Sequence, residues 1–158
     1  MTQPTNDLIA HLKGAFAAEL ECPPRMTLRS GDSVDSFGVE QPHHVALDVV
    51  TDQYLSRYAW GMAHLDAASW RHYLPAFAAF ALRNPQSNEL IVTAFIQSLR
   101  PPDRDPPRLE SLNATQQSVM KDVLEVLAYS PESIWQAEAC QALEEWWIDG
   151  ALYRPSKL

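Results

Sequence analysis

Residues 60–85 read WGMAHLDAASWRHYLPAFAAFALRNP, and this run points to an all-helical chain. Asp66 is a good N-cap residue, because its carboxylate can accept the first free helical N–H groups. Leu65 before it and Trp70 after it have the spacing of a hydrophobic staple. Trp70, Leu74, Phe77 and Ala81 then recur at three- and four-residue steps, which places them on one helical face. Pro75 interrupts that series. A proline inside a helix removes one amide hydrogen bond and crowds the carbonyl four residues back. Either the helix kinks here, or Pro75 opens a second helix. Pro75 to Leu82 is apolar at every position, so the spacing predicts burial on all sides.

Upstream, Leu8, Leu12, Ala15, Phe16 and Leu20 share a helical face behind the capping run Thr5-Asn6-Asp7, and Cys22-Pro23-Pro24 ends that helix. Residues 25–47 carry Ser-Gly-Asp, Phe-Gly and Gln-Pro breakers and read as an irregular loop. Asp48 is a candidate start for a helix through Val49, Val50, Tyr54, Tyr58 and Ala59. Downstream, Asn84-Pro85 places a capping side chain before a proline at the first helical position. The helix it opens, through Leu90, Ile91, Ala94, Phe95 and Leu99, reads as the central one. Residues 100–110 form a stiff, Pro-rich, charged connection. Asn113 and Gln116 have capping-box spacing and lead into Val119, Val123 and Val126. Ser130-Pro131-Glu132 reads as the start of a last helix. Trp135, Ala139, Ala142 and Trp146 form one stripe of it, with Cys140, Leu143 and Trp147 beside them, and Gly150 is its stop. The expectation is one all-α domain over residues 1–158. It is a bundle of five or six helices, kinked or broken at Pro75.

Composition narrows the functional classes. Apolar residues make up 46% and charged residues 20% of 158, which suits a soluble globular chain. No apolar run is long enough to span a bilayer, and the first residues lack the basic and apolar regions of a secretory signal. The two cysteines, Cys22 and Cys140, lie in no Cys-x-x-Cys pair and read as buried or semi-buried free thiols. Together these features predict a cytoplasmic protein. The net charge is −8, and residues 101–158 carry ten acids against five bases. That sign disfavours duplex nucleic acid and anionic membranes, and it favours a basic partner.

No reactive constellation emerges. The five histidines have no i, i+4 pair that would share a metal. His64 and His72 would lie ~12 Å apart along a continuous helix. His72 reads as half-exposed, bonding a carbonyl that Pro75 frees. Neither cysteine has a local nucleophile signature, no G-x-S-x-G elbow occurs, and the scattered glycines form no phosphate loop. Asp32/Asp35 and Asp103/Asp105 read as solvated loop charges. The expectation is therefore no catalytic residue, no metal and no cofactor. Trp60, Trp70, Trp135 and Trp146 read as core or core-edge anchors. Trp147 either sits at the rim of the core beside carboxylates or lies under the tail 152–158. Its Trp-rich helix suits a dimer contact as readily as a core. An aromatic ringed by acids has the composition of a protein-binding patch. The candidate partner surface is Glu138, Glu144, Glu145, Trp147 and Asp149, extended by Asp103 and Asp105.

The run from Leu65 to Leu82, with WRHYLPAF at residues 70–77, resembles a bacterial family of small uncharacterised proteins with an aromatic-R-Y-Y-L-P-A-aromatic signature. A second matching segment is SLNATQQ at residues 111–117. The resemblance covers roughly residues 45–130 and departs from the pattern at His72. It implies an all-helical cytoplasmic protein of unassigned activity. By analogy of class, small acidic proteins of this kind resemble immunity partners of interbacterial toxins. The expected function is a binding protein that occludes a cognate toxin's basic active cleft with its acidic surface. The alternatives are a small enzyme using His64–Tyr73 and an effector-loading adaptor.

Overall fold

The structure is a computed structural model that describes residues 3–155. Among these residues it is all-helical, without strands. The elements are α1 (Gln3–Ala15), α2 (Ala17–Leu20), α3 (Leu28–Asp35), α4 (Asp52–Tyr58), a 3₁₀ helix (Ala59–His64), α5 (Ala67–Arg83), α6 (Leu90–Ser98), α7 (Ala114–Tyr129), α8 (Gln136–Ala142) and a π-helical turn (Leu143–Trp147). Eight α-helices exceed the expected five or six, because the helix expected to run through Leu20 divides at Phe16 into α1 and α2, and α3 lies in the segment read as a loop. None of the described helices is long and apolar enough to cross a membrane.

α5 lies at the centre. Asp66 caps it by accepting the Ser69 N–H at 3.0 Å, as its position predicts. Met26 N–H donates to Ser69 Oγ, which donates in turn to Asp66 Oδ2, so the cap also ties down the chain leaving α2. α5 is not broken at Pro75. It runs through the proline as one helix of 17 residues, of which eleven are buried. Of Pro75–Leu82, Ala76 alone is only partly buried. Packing of α1, α2, α6 and α7 around this helix offsets the lost amide bond. α5, rather than α6, is thus the most enclosed element.

The segment 25–47 is not wholly irregular. Thr27 accepts the Ser30 N–H and starts α3, a helix whose sequence, LRSGDSVD, is too polar to announce itself. α3 packs against the 3₁₀ helix through two glycines. A Cβ built on Gly61 would lie 2.1 Å from the Leu28 carbonyl oxygen, and one on Gly31 would lie 2.4 Å from the Gly61 carbonyl oxygen. The two backbones touch, and no side chain fits between them.

The loop after α3 is pinned by a buried carboxylate. Asp48 accepts Arg29 Nε at 3.0 Å and Nη2 at 2.9 Å, the Tyr54 hydroxyl at 2.9 Å and the His44 N–H at 2.8 Å. Burial alone would raise its pKa, but these bonds together hold it below the usual carboxylate range. Asp48 therefore anchors the loop rather than starting a helix, and α4 begins behind the Thr51 cap instead.

Two expected helix starts fall later than their prolines. α6 begins at Leu90 and α8 at Gln136, while Pro85 and Pro131 lie in turns. The capping box of Asn113 and Gln116 is present, with both reciprocal bonds. Cys22 is exposed rather than buried, and Cys140 is half-buried.

Gly61→Ala and Gly31→Ala should each destabilise the protein by about 2 kcal/mol or more, because a methyl group meets backbone atoms that cannot yield. Gly14→Ala, where a Cβ meets nothing within 4 Å, should instead stabilise α1 by about 0.5–1 kcal/mol. Urea denaturation of the three variants checks this. A Gly61→Ala protein as stable as the wild type would show that the backbones do not touch.

Candidate functional site

The Pro-rich segment between α6 and α7 organises the surface with the most functional potential. Its backbone is gathered by one side chain. Asp103 Oδ1 accepts the N–H groups of Arg104, Arg108 and Leu109, and Oδ2 accepts that of Glu110, at 2.8–3.0 Å. The turn so formed drives Arg108 into the protein, where it is 5% exposed. The guanidinium donates to the carbonyls of Leu65, Met62 and Ala63, at the end of the 3₁₀ helix. These carbonyls have no further helical N–H to accept, so Arg108 takes the place of a helix cap.

Arg100 fixes the other end of the segment. Its Nε and Nη2 bind Glu145 as a bidentate pair, both at 2.7 Å, and Gln141 donates to the same carboxylate. The Arg100 bond, set against burial and reinforced by Gln141, holds the Glu145 carboxyl below its usual range. The proline segment is thus clamped to the last helical turn on one side and to the 3₁₀ helix on the other.

Two concavities flank it. One, of about 390 Å³, lies between the segment, α6 and the 3₁₀ helix, and its lining includes Trp60, Met62, Leu90, Arg104 and Arg108. The other, of about 590 Å³, lies between the segment and the C-terminal tail. Asp103, Glu110, Glu145, Trp146 and Tyr153 line it.

The sequence-predicted surface residues divide between these environments. Asp103 and Glu145 meet across the tail-side groove, although Glu145 is buried at 8% exposure and Asp103 is occupied by backbone. Trp147 is buried, and its indole N–H donates to the Leu99 carbonyl at 2.8 Å. The part of the tail beyond residue 155 lies outside the described residues. Glu138, Glu144, Asp149 and Asp105 are exposed. The exposed aromatic of this region is Tyr153, whose N–H bonds the Glu145 carbonyl as the chain folds back. It sits in the non-helical tail, outside any periodic pattern. Trp60 is likewise not a core anchor but is 58% exposed, because Gly61 and Met62 take the inward positions of the 3₁₀ helix.

The histidines do not converge. His72 is half-buried, and its Nδ1 lies 2.7 Å from the Glu19 carbonyl, not a carbonyl freed by Pro75. His64 Nε2 lies 2.8 Å from Asp35 Oδ1 at the surface. Among the described residues no group of three or more His, Cys, Asp or Glu could hold a metal ion.

The chain belongs to a family of unknown function, DUF6714, which matches residues 4–151. No curated protein and no solved structure matches it.

Glu145→Gln should cost about 1–3 kcal/mol, since it leaves Arg100 without its charge partner. Because the folded-state pKa of Glu145 is lowered, its contribution is complete above the unfolded value of about 4.3 and fades as pH falls through the folded value. The variant should lack that part of the acid-induced loss. Urea midpoints measured at neutral pH and at stepwise lower pH check both effects. Parallel pH profiles for the two proteins would remove the ion pair as their source.

Proposed function

We propose that this protein is a binding protein without chemistry of its own, an immunity or antitoxin-like inhibitor acting in the cytoplasm. It covers the basic cleft of a cognate toxin with its acidic C-terminal surface. The observation that carries the reading is the tail-side groove. There Tyr153, 63% exposed, stands beside Glu110, Asp103 and Glu145. Residues 110–155 hold eight acids and two bases. One of those bases, Lys121, is already engaged by Glu125.

An exposed tyrosine offers rigid contact area at low entropic cost, and surrounding carboxylates supply steering and register. A toxin that acts on nucleic acid or a nucleotide presents a basic cleft, and an acidic surface is drawn to it and excludes its substrate. Glu110, Glu144, Asp149 and Tyr153, with the likewise exposed Glu138 and Asp105, are free to make the contact, whereas Glu145 and Trp147 serve it from beneath. An effector-loading adaptor would use the same surface but leave the toxin active. The small-enzyme alternative would draw on His64 and Asp35, whose side chains are paired at the surface.

Co-expression with the toxin-domain protein of its own gene neighbourhood tests the reading. The wild type should protect cells. A triple reversal, Glu110→Lys, Glu144→Lys and Asp149→Lys, and separately Tyr153→Ala, should weaken binding at least about tenfold and abolish protection. Full protection by both variants would place the interface elsewhere. Binding without protection by the wild type would favour the adaptor.

A further inference from the structure

The cleft on the opposite side of the proline segment has different chemistry. Arg108 is buried and forms no ion pair among the described residues. Its Nε and Nη2 spend their N–H groups on carbonyls, and Nη1 has no acceptor there. Burial, with the neighbouring positive charge of Arg104, pushes its pKa down to about 10, and Asp66 and Asp103 offset this only in part. A buried cation without an anion is costly, and a ligand anion relieves that cost.

The other charges fix the valence of that anion. Arg100, also in the lining, is neutralised by its bidentate bond to Glu145. Asp66 lies outside the lining and is paired with Arg25, so Asp103 contributes the one uncompensated negative charge. Arg104 has no side-chain partner among the described residues, so it and Arg108 contribute two positive ones. The cleft is left with one net positive charge, in a chain of net charge −8. A carboxylate is a monoanion at neutral pH, whereas a phosphate monoester is close to a dianion.

The rest of the cleft is mainly apolar, with Thr93, Gln97 and Ser98 of α6 as its uncharged polar groups, and it has an aromatic wall. Trp60 stands exposed at its edge, with Met62, Leu90 and Ala94 nearby. A volume of about 390 Å³ is within the range of small-molecule sites. An exposed tryptophan beside paired guanidinium groups suits a flat ring that carries the acid.

We propose that this cleft binds a small aromatic carboxylate, with the acid against Arg108 and Arg104 and the ring against Trp60. The proposal stands apart from the protein-binding surface, because it uses a different concavity and the opposite charge.

Titration calorimetry of the full chain with 2-naphthoate, its neutral amide 2-naphthamide, and phenyl phosphate tests it. Naphthoate should bind saturably, and the amide at least about tenfold more weakly, since a hydrogen bond to a charged group is worth about 1.5–3 kcal/mol. Trp60→Ala and Arg104→Gln should each weaken naphthoate at least about fivefold. Both side chains are exposed, so the variants should keep the fold, which circular dichroism verifies. No saturable binding of naphthoate at millimolar concentration would overturn the proposal. So would equal affinity for the amide, or unchanged affinity in both variants. Tighter binding of phenyl phosphate than of naphthoate would overturn the assignment to a carboxylate.

Discussion

The contact between Gly31 and Gly61 is the constraint on which the rest of the architecture depends. A Cβ on Gly31 would enter the Gly61 backbone, and one on Gly61 would enter the α3 backbone at Leu28 and Asp32. That closeness lets α3 lie directly on the 3₁₀ helix, and several features follow from it. The 3₁₀ helix is held where Arg108 can reach its terminal carbonyls. Trp60 is turned outward because its neighbours Gly61 and Met62 are turned in. Arg29, on the same short helix as Gly31, is brought to Asp48, and the loop after α3 acquires its anchor. A bundle with a side chain at either glycine would have to part these two elements, and the cleft beside Trp60 would lose a wall.

Polar groups inside the molecule are used chiefly to hold segments that lack regular structure. Asp48 gathers the loop after α3, Asp103 gathers the proline segment, and Arg108 closes the 3₁₀ helix. Each is buried or engaged by several partners, so each supplies geometry at positions where apolar packing is sparse. The long helices need less of this. α5 and α7 are fixed by apolar faces and by side-chain caps at Asp66 and Asn113.

The all-helical class was legible from residues 60–85, and the caps at Asp66 and Asn113 were legible from side-chain chemistry alone. Proline positions misled where tertiary contacts decide. Pro75 lies inside a helix because four neighbouring helices enclose it. Pro85 and Pro131 fit the pattern of a first helical residue, yet the carbonyl of Pro85 instead accepts the Ile134 N–H. α3 was hidden because, apart from Leu28 at its start, its inward positions are serine and glycine. Beyond Leu28 its burial comes from a backbone contact, to which hydrophobic periodicity is blind. The acidic bias of the C-terminal part was visible in composition. Which acids are spent inside was not, because Arg100 and Glu145 are 45 residues apart in the chain and meet only after folding. The same holds for Trp147, whose indole is committed to a carbonyl 48 residues away.

The four N–H groups collected by Asp103 carry a consequence for association at this surface. Long connections without regular secondary structure usually sample several paths, even where prolines stiffen them locally, and a partner that docks on one must first select among them. Here the backbone is already committed to one shape by a carboxylate that lies within the segment itself. A molecule arriving in either adjoining concavity meets a pre-organised rim, so little conformational entropy is forfeited on contact. The rim also separates a positively charged recess from a negatively charged groove by the thickness of a single strand of chain.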